Sequence, residues 1–233
     1  STTMNVDSKV IRGDLFAGNA ISVGDFNVNL KSIDVSTLDQ GDVSLENINM
    51  SGKSDIEGDL ISLEFGYDVG KVEAQGMVFS DANLDLLFSN LDVNVIEKLN
   101  TVYANIAATQ DPKLMQQQTE ELGQLASTLL DKNPVFEFTD FSLKGPNGKF
   151  QSKAKLTIDK DKYDAANVMT LMMAINADAN GSVSAAVLEN LGMLSMADMY
   201  AEQGLLVRDG EEFKFNVGFR NGQLLVNGQV MPM

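Results

Sequence analysis

The sequence predicts an α+β protein, in which helices pack on one face of a large, curved antiparallel β-sheet built from a meander and hairpins. Apolar and polar residues alternate over long stretches before residue 92 and after residue 134, a spacing typical of strands with one buried face. Between them, apolar residues recur at steps of three and four, as in a helix. The 233 residues can enclose a sizeable core, and we expect one continuous unit over 1–233.

Residues 93–133 are predicted to form a pair of helices. Asp111 can cap the second helix, Pro112 suits its first turn, and Pro134 follows its end; these are recognised helix start and stop signals. We expect the apolar side of each helix to cover the sheet. These sides carry Val95, Ile96, Leu99, Val102, Tyr103 and Ile106 in the first helix, and Leu114, Met115, Leu122, Leu125, Ala126, Leu129 and Leu130 in the second.

The β-rich region 1–92 is predicted to be a meander of short strands. The strands are placed at 21–35, 43–50, 54–66, 70–80 and 82–92. Turns are placed where Asn, Asp, Ser and Gly gather, because these residues adopt turn conformations readily. The predicted turns are Ser51-Gly52, Tyr67-Asp68 with Gly70, and Ser80-Asp81.

The region 134–233 is predicted to be β-rich with a helical insertion. A hairpin turns at Lys144–Gly148, where Gly-Pro-Asn-Gly lies between two alternating runs. A strand over 168–177 is expected to end at an Asn180-Gly181 turn. Ser184 then caps a first helix, and a second helical piece ends at Gly204.

The C-terminal segment predicts a β-hairpin with a two-residue turn at Asn221-Gly222. Asn-Gly is the pair that best tolerates the positive φ angles of a type I′ turn. This turn would place Phe219 opposite Leu224 and Val217 opposite Val226. Extended further, the same register sets Phe215 opposite Gly228 and Phe213 opposite Val230.

Composition argues against several functions. With 17 Lys and Arg against 33 Asp and Glu, the formal charge is −16, which repels nucleic acid and anionic membrane surfaces. The chain has no cysteine and no histidine. It therefore has neither disulfides nor thiol chemistry, and it lacks the commonest general base and transition-metal ligand.

No catalytic, cofactor-binding or metal-binding residue is predicted. The run from Asn176 to Gly181 begins like a calcium loop, but Val187 stands at the position where a bidentate glutamate is required. Paired carboxylates such as Asp55 and Glu57 could serve a glycoside hydrolase, yet pairs of this kind are abundant in so acidic a chain.

Methionines are grouped in two places, and they predict an apolar groove between the sheet and its helices. Methionine adapts to irregular apolar surfaces that bind lipid or peptide, and it also fills cores. The residues assigned to this groove are Met169, Met172 and Met173 in a predicted strand and Met193, Met196 and Met199 on a predicted helix.

The C-terminal segment Phe-Arg-Asn-Gly-Gln-Leu-Leu-Val-Asn-Gly-Gln-Val, from Phe219 to Val230, resembles the terminal signature of the YdgA-like DUF945 family of Gram-negative bacteria. The run Tyr67–Val72 before Leu84-Asp85-Leu86, and the run Ala201–Leu206, are similar to that family too. The resemblance covers roughly residues 55–233. It implies a periplasmic, envelope-exposed C-terminal portion of a longer protein tethered to the inner membrane by a preceding anchor. No catalytic residue is implied.

Three functions follow as expectations. The first is a non-enzymatic envelope protein that binds a lipid-like apolar ligand or an envelope partner through its sheet-and-helix surface, as a scaffold or chaperone. The second is a carboxylate-dependent hydrolase of an envelope polymer. The third is a structural module that self-associates into a homo-oligomer through open strand edges.

Overall fold

The computed structural model describes residues 2–13, 20–37, 41–74, 76–109, 111–164, 167 and 169–232. Within these residues the chain forms one large, open antiparallel sheet of twelve strands with five helices. The strands are β1 (Thr2–Arg12), β2 (Ile21–Thr37), β3 (Gly41–Glu57), β4 (Leu60–Ala74), β5 (Met77–Asp92), β6 (Val135–Gly145), β7 (Gly148–Ile158), β8 (Ile175–Ser184), β9 (Val207–Asp209), β10 (Glu212–Arg220), β11 (Gln223–Val226) and β12 (Gln229–Met231).

The order of strands in the sheet follows the order in the chain, which makes the sheet a continuous meander. Strands β1 to β8 pair in sequence, β10 pairs with β8, and β11 and β12 follow. The short strand β9 pairs with the first part of β10. Strands from before and after the helical pair therefore belong to the same sheet, joined where β5 pairs with β6.

The helices are α1 (Val93–Ala108), α2 (Pro112–Leu130), α3 (Met169–Ala174), α4 (Ala185–Asn190) and α5 (Leu194–Glu202). The predicted pair over 93–133 is confirmed, including the cap by Asp111, whose carboxylate accepts a hydrogen bond from the Lys113 amide at 2.9 Å. Asp92 caps α1 in the same way, through the amides of Asn94 and Val95. In the part of the chain that the structure describes, no helix has the length and apolarity needed to cross a membrane.

Three apolar clusters hold α1, α2, α4 and α5 in place. The α1–α2 hairpin closes on itself around Val95, Val102 and Leu125. Its Ile96 and Leu129 then pack against a cluster of Ile21, Ile61 and Leu91 from the sheet and Val93 from the start of α1. The third cluster joins α4 and α5 to the sheet around the fully buried Phe213. The exposed side chains of Tyr103, Leu114 and Met115 do not share in this packing, contrary to the predicted apolar sides.

The predicted turns in the first β region are wrong, because the strands there are longer than predicted and their boundaries lie elsewhere. Ser51-Gly52 lies inside β3, Tyr67-Asp68 and Gly70 lie inside β4, and Ser80-Asp81 lies inside β5. Glycine is needed at position 52 for a different reason: a Cβ there would lie 2.2 Å from Cε1 of the Phe26 ring. Asp81 takes a φ of 48° within its strand, so a turn-forming residue adjusts the strand without ending it.

The predicted strand over 168–177 is also wrong. Met169–Ala174 forms the helix α3, and β8 begins at Ile175; Val168 lies outside the described residues. Asn180-Gly181 is not a turn but the middle of β8, paired with β7 on one side and β10 on the other. The register of the sheet therefore overrides the local preference of Asn-Gly for a turn.

The C-terminal hairpin is confirmed near its turn and corrected beyond it. Asn221 and Gly222 have φ of 51° and 72°, and Phe219 and Val217 face Leu224 and Val226 as predicted. The predicted pairs Phe215–Gly228 and Phe213–Val230 do not form. A second Asn-Gly pair, Asn227-Gly228 with φ of 50° and 82°, turns the chain so that β12 pairs with β11.

The candidate apolar face

A row of nonpolar residues crosses the sheet from its first strand to β11. Directly opposed residues of antiparallel strands share a face of the sheet, so the register defines the row step by step. Its members are Val6, Phe26, Gly52, Phe65, Leu86, Phe138, Ala154, Ala179, Val217 and Val226. At ~4.8 Å between strands, the nine steps extend over about 43 Å. We call this row the apolar row.

A neighbouring row extends the nonpolar surface from β4 to β12. Its members are Leu63, Phe88, Phe136, Leu156, Ala177, Phe219, Leu224 and Met231. Within this row the rings of Phe88 and Phe136 form an edge-to-face pair, with their centroids 5.6 Å apart. Phe138 in the apolar row remains 47% exposed. A large aromatic side chain so exposed, within a continuous apolar surface, is typical of a binding surface.

The surface formed by the apolar row and its neighbouring row is recessed over β7 and β8, where most side chains are small. Ala154, Ala177 and Ala179, with Leu156 opposite Ala177, form the floor of a trough of ≈ 300 Å³. Phe136 and Phe138 of β6 form one wall, and Val217 and Phe219 of β10 form the other wall. The trough is therefore a gap left by alanines between bulky neighbours.

Aromatic rings mark one end of this trough. A Cβ at Gly181 would lie 2.7 Å from Cζ of Phe215, so the Phe215 ring covers that glycine. Phe141, on the same row of the sheet, forms an edge-to-face pair with Phe150 at 5.2 Å between centroids. Glycine at position 181 is thus required for close packing, not for a turn.

A second apolar recess, also of ≈ 300 Å³, lies between the sheet and α4. The sheet contributes Phe79, Leu143, Phe150 and Val183 to its lining, and the helix and the residue after it contribute Val187, Leu188 and Leu191. The sequence predicted an apolar recess between the sheet and its helices, but it assigned methionines to the lining and not the residues that line this recess.

The six methionines assigned to the groove lie elsewhere. Met169, Met172 and Met173 are exposed on α3, and Met169 is 76% exposed. Met193, Met196 and Met199 are exposed at the start of α5 and along it. None of them lines either apolar recess. The sequence signal that could have located the trough is the small residues at alternate positions of β8, Ala177, Ala179 and Gly181. The expected turn at Asn180-Gly181 concealed this signal.

The opposite face of the sheet is polar and carries a group of carboxylates. Asp85 lies directly opposite Asp140 across β5 and β6, and Asp68 lies on the neighbouring strand β4. Burial, together with the negative charges of Asp68 and Asp140, raises the pKa of the Asp85 carboxyl above its ordinary value. Among the residues that the structure describes, no three acidic side chains are placed to hold a metal ion.

Comparison with known proteins gives one match. A family profile with the description "Bacterial protein of unknown function (DUF945)" matches residues 2–233. No curated protein and no solved structure matches the chain.

Proposed function

Because the chain belongs to the DUF945 family of bacterial proteins of unknown function, we propose a function from its geometry: the protein binds one hydrocarbon chain of a lipid-like molecule in the trough of the apolar row. The observation that carries this proposal is the trough itself, which has a floor of three alanines and one leucine and apolar walls on an exposed sheet face. Its ≈ 300 Å³ lies at the lower end of the ~300–1,000 Å³ common for ligand pockets.

The width of the trough favours a single chain over a helix of another protein. Phe138 on β6 and Val217 on β10 are three strand spacings apart, or about 14 Å between Cα atoms. Their own side chains fill part of that distance. A helix with its side chains needs ~10–12 Å, whereas a hydrocarbon chain is much narrower.

The chemistry of the trough also disfavours an extended peptide. Its floor and walls present carbon atoms of Ala, Leu, Val and Phe side chains. A peptide backbone in such a place would leave its N–H and C=O groups without partners, which costs several kcal/mol. A hydrocarbon chain has no such groups and gains the full benefit of apolar burial.

The proposal includes a role for the helices as flanks of the same face. Phe88 shares the face of Phe136, and it packs against the same buried cluster as Ile96 of α1. Val183 shares the face of Phe213, and it packs with α4 and α5. Helices at both ends would then confine a ligand to the middle strands. The family resemblance suggests a periplasmic protein tethered to the inner membrane, which would place this face close to lipid.

The experiment measures the affinity of neutral monoacylglycerols of increasing chain length, by displacement of a fluorescent acyl probe. Neutral ligands avoid repulsion by the net charge of −16. We expect affinity to increase roughly fourfold per methylene, corresponding to ~0.8 kcal/mol, until the trough is full. Ala179→Phe fills the trough and should weaken binding at least about tenfold.

Val35→Phe is the matched control, because Val35 is exposed on β2 and lies outside the trough lining. It adds an aromatic ring to the surface and should leave the affinity unchanged. Sedimentation velocity of each variant tests for self-association. The proposal fails if affinity does not depend on chain length, or if Ala179→Phe alters the oligomeric state and not the acyl affinity.

A further inference from the structure

The polar face carries a recess of ≈ 870 Å³ over β7, β8 and β10, larger than either apolar recess. Two rows of side chains form its floor. In one row Lys153, Asn180 and Asn216 are directly opposed across the three strands. In the next row Gln151, Ser182 and Lys214 are opposed in the same way. These residues alternate with those of the apolar trough, so the recess lies on the other side of the same strands.

The Ser182 hydroxyl in this floor has no hydrogen-bond partner. The residue is only 5% exposed, and its Oγ forms no hydrogen bond with any described residue. A buried hydroxyl without a partner costs about 1–3 kcal/mol, and such groups are rare in native proteins. The hydroxyl therefore points to a partner that enters the recess from outside the chain.

Neighbouring polar side chains are also free to bind. The side chains of Gln151, Lys153 and Asn180 form no hydrogen bond or ion pair within the part of the chain that the structure describes. Lys214, by contrast, is already paired with Asp209. The recess thus combines unpaired amides, a hydroxyl and an ammonium group on adjacent strands.

The charges of the lining are balanced. The lining has two acids, Asp140 and Glu212, and two lysines, Lys153 and Lys214, and Asp209 adds a negative charge beside Lys214. The recess therefore has no excess of positive charge to attract an anion. Amides and hydroxyls both donate and accept hydrogen bonds. The matching ligand is an uncharged molecule whose groups do the same, and sugar hydroxyls have this property.

We propose that the polar recess over β7, β8 and β10 binds an uncharged oligosaccharide, with a sugar hydroxyl as the missing partner of Ser182. The volume of ≈ 870 Å³ suits a short oligosaccharide better than a single sugar, since small-ligand pockets span ~300–1,000 Å³. This site is independent of acyl binding, because it lies on the opposite face of the sheet. Failure of one proposal leaves the other intact.

The test titrates the ¹⁵N-labelled chain with cellotetraose, a neutral linear tetrasaccharide, and follows amide chemical shifts. We expect the shifts to be confined to amides of β7, β8 and β10. Ser182→Ala should weaken binding by about threefold to tenfold, the effect of one lost hydrogen bond. The same variant should melt at the same temperature as the wild type or higher, because it removes an unsatisfied buried group.

Ser44→Ala is the matched control: it makes the same chemical change on β3, where the hydroxyl donates to Asp34, and it should not alter the affinity. Asn180→Leu, which removes a second polar group, should weaken binding further. The proposal is overturned if cellotetraose causes no shifts in the recess, if Ser182→Ala binds as tightly as the wild type, or if a sulfated oligosaccharide binds more tightly than the neutral one.

Discussion

At the scale of single residues, strand register on the polar face gives side chains charge environments that their neighbours in the sequence do not predict. Asp85, Asp140 and Asp68 are far apart in the chain, yet strand pairing brings them together. Like charges on adjacent strands destabilise a sheet, and burial together with that repulsion raises the pKa of Asp85. Ser182, on the same face, is a second residue whose environment costs stability.

Asp85→Asn should therefore stabilise the protein at neutral pH. Since the pKa of Asp85 is higher in the folded state than in the unfolded state, its contribution to stability is fully present below the unfolded pKa of ~3.9. That contribution is lost as the pH rises through the folded pKa. The gain from the substitution should thus be clear at pH 7 and absent near pH 3 in urea denaturation.

Glu121→Gln is the control for this measurement, because Glu121 is exposed on α2 and the change removes the same formal charge. It should have little effect at either pH. An equal gain from both substitutions at pH 7 would mean that net charge alone, and not the environment of Asp85, limits stability.

At the scale of elements, two Asn-Gly pairs shape the C-terminal end of the sheet. Asn221-Gly222 and Asn227-Gly228 both have positive φ at both residues, as type I′ turns require. Another Asn-Gly pair, Asn180-Gly181, lies in a central strand. Neighbouring strands decide between these outcomes, because β8 has a partner on each side and Phe215 covers its glycine.

Gly222→Ala should destabilise the protein by about 1–2 kcal/mol, the cost of a left-handed conformation for a residue with a Cβ. Gly222 has a φ of 72°, and a Cβ there would lie 3.3 Å from the Met173 sulfur. Gly228→Ala, with a φ of 82° and no atom within 4 Å, isolates the backbone cost. Urea denaturation should show a loss for both, and at least as large a loss for Gly222→Ala.

Asn221→Gly is the conservative control, because glycine accepts the same backbone angles. It removes only an exposed hydrogen bond from Lys162 to the Asn221 side chain. A loss as large as that of Gly222→Ala would show that this side-chain contact, and not backbone geometry, stabilises the turn.

At the scale of the whole molecule, separate clusters stabilise different parts of the sheet. The α1–α2 hairpin is held mainly by its own cluster, and Leu125 is the one buried residue of α2. Phe213 anchors α4 and α5 at a different position on the sheet. Separate clusters of this kind allow parts of a protein to open independently.

Native-state hydrogen exchange should reveal this division. Amides of α2 should exchange faster than those of β8, which is hydrogen-bonded on both sides. Leu125→Ala should accelerate exchange in the α1–α2 hairpin, whereas Phe213→Ala should accelerate it in α4, α5 and β10. Uniform acceleration throughout the chain by either substitution would show that the molecule unfolds as a single unit.

The sequence by itself determined that helices accompany a large antiparallel sheet, and it determined the helical pair with its Asp111 cap and the turn at Asn221-Gly222. Each of these depends on neighbours within a few residues, where periodicity and capping are sufficient. The sequence also determined the net charge of −16 and the absence of histidine and cysteine.

Only the tertiary structure decided the length of the strands, the place of the methionines, and the apolar row. The row joins residues such as Phe26, Leu86 and Ala179 that are distant in the chain. A one-residue slip in any strand would move its members to the other face. The register across many strands, which the local pattern at Asn221-Gly222 specifies only for its own hairpin, therefore sets both the apolar trough and the polar recess behind it.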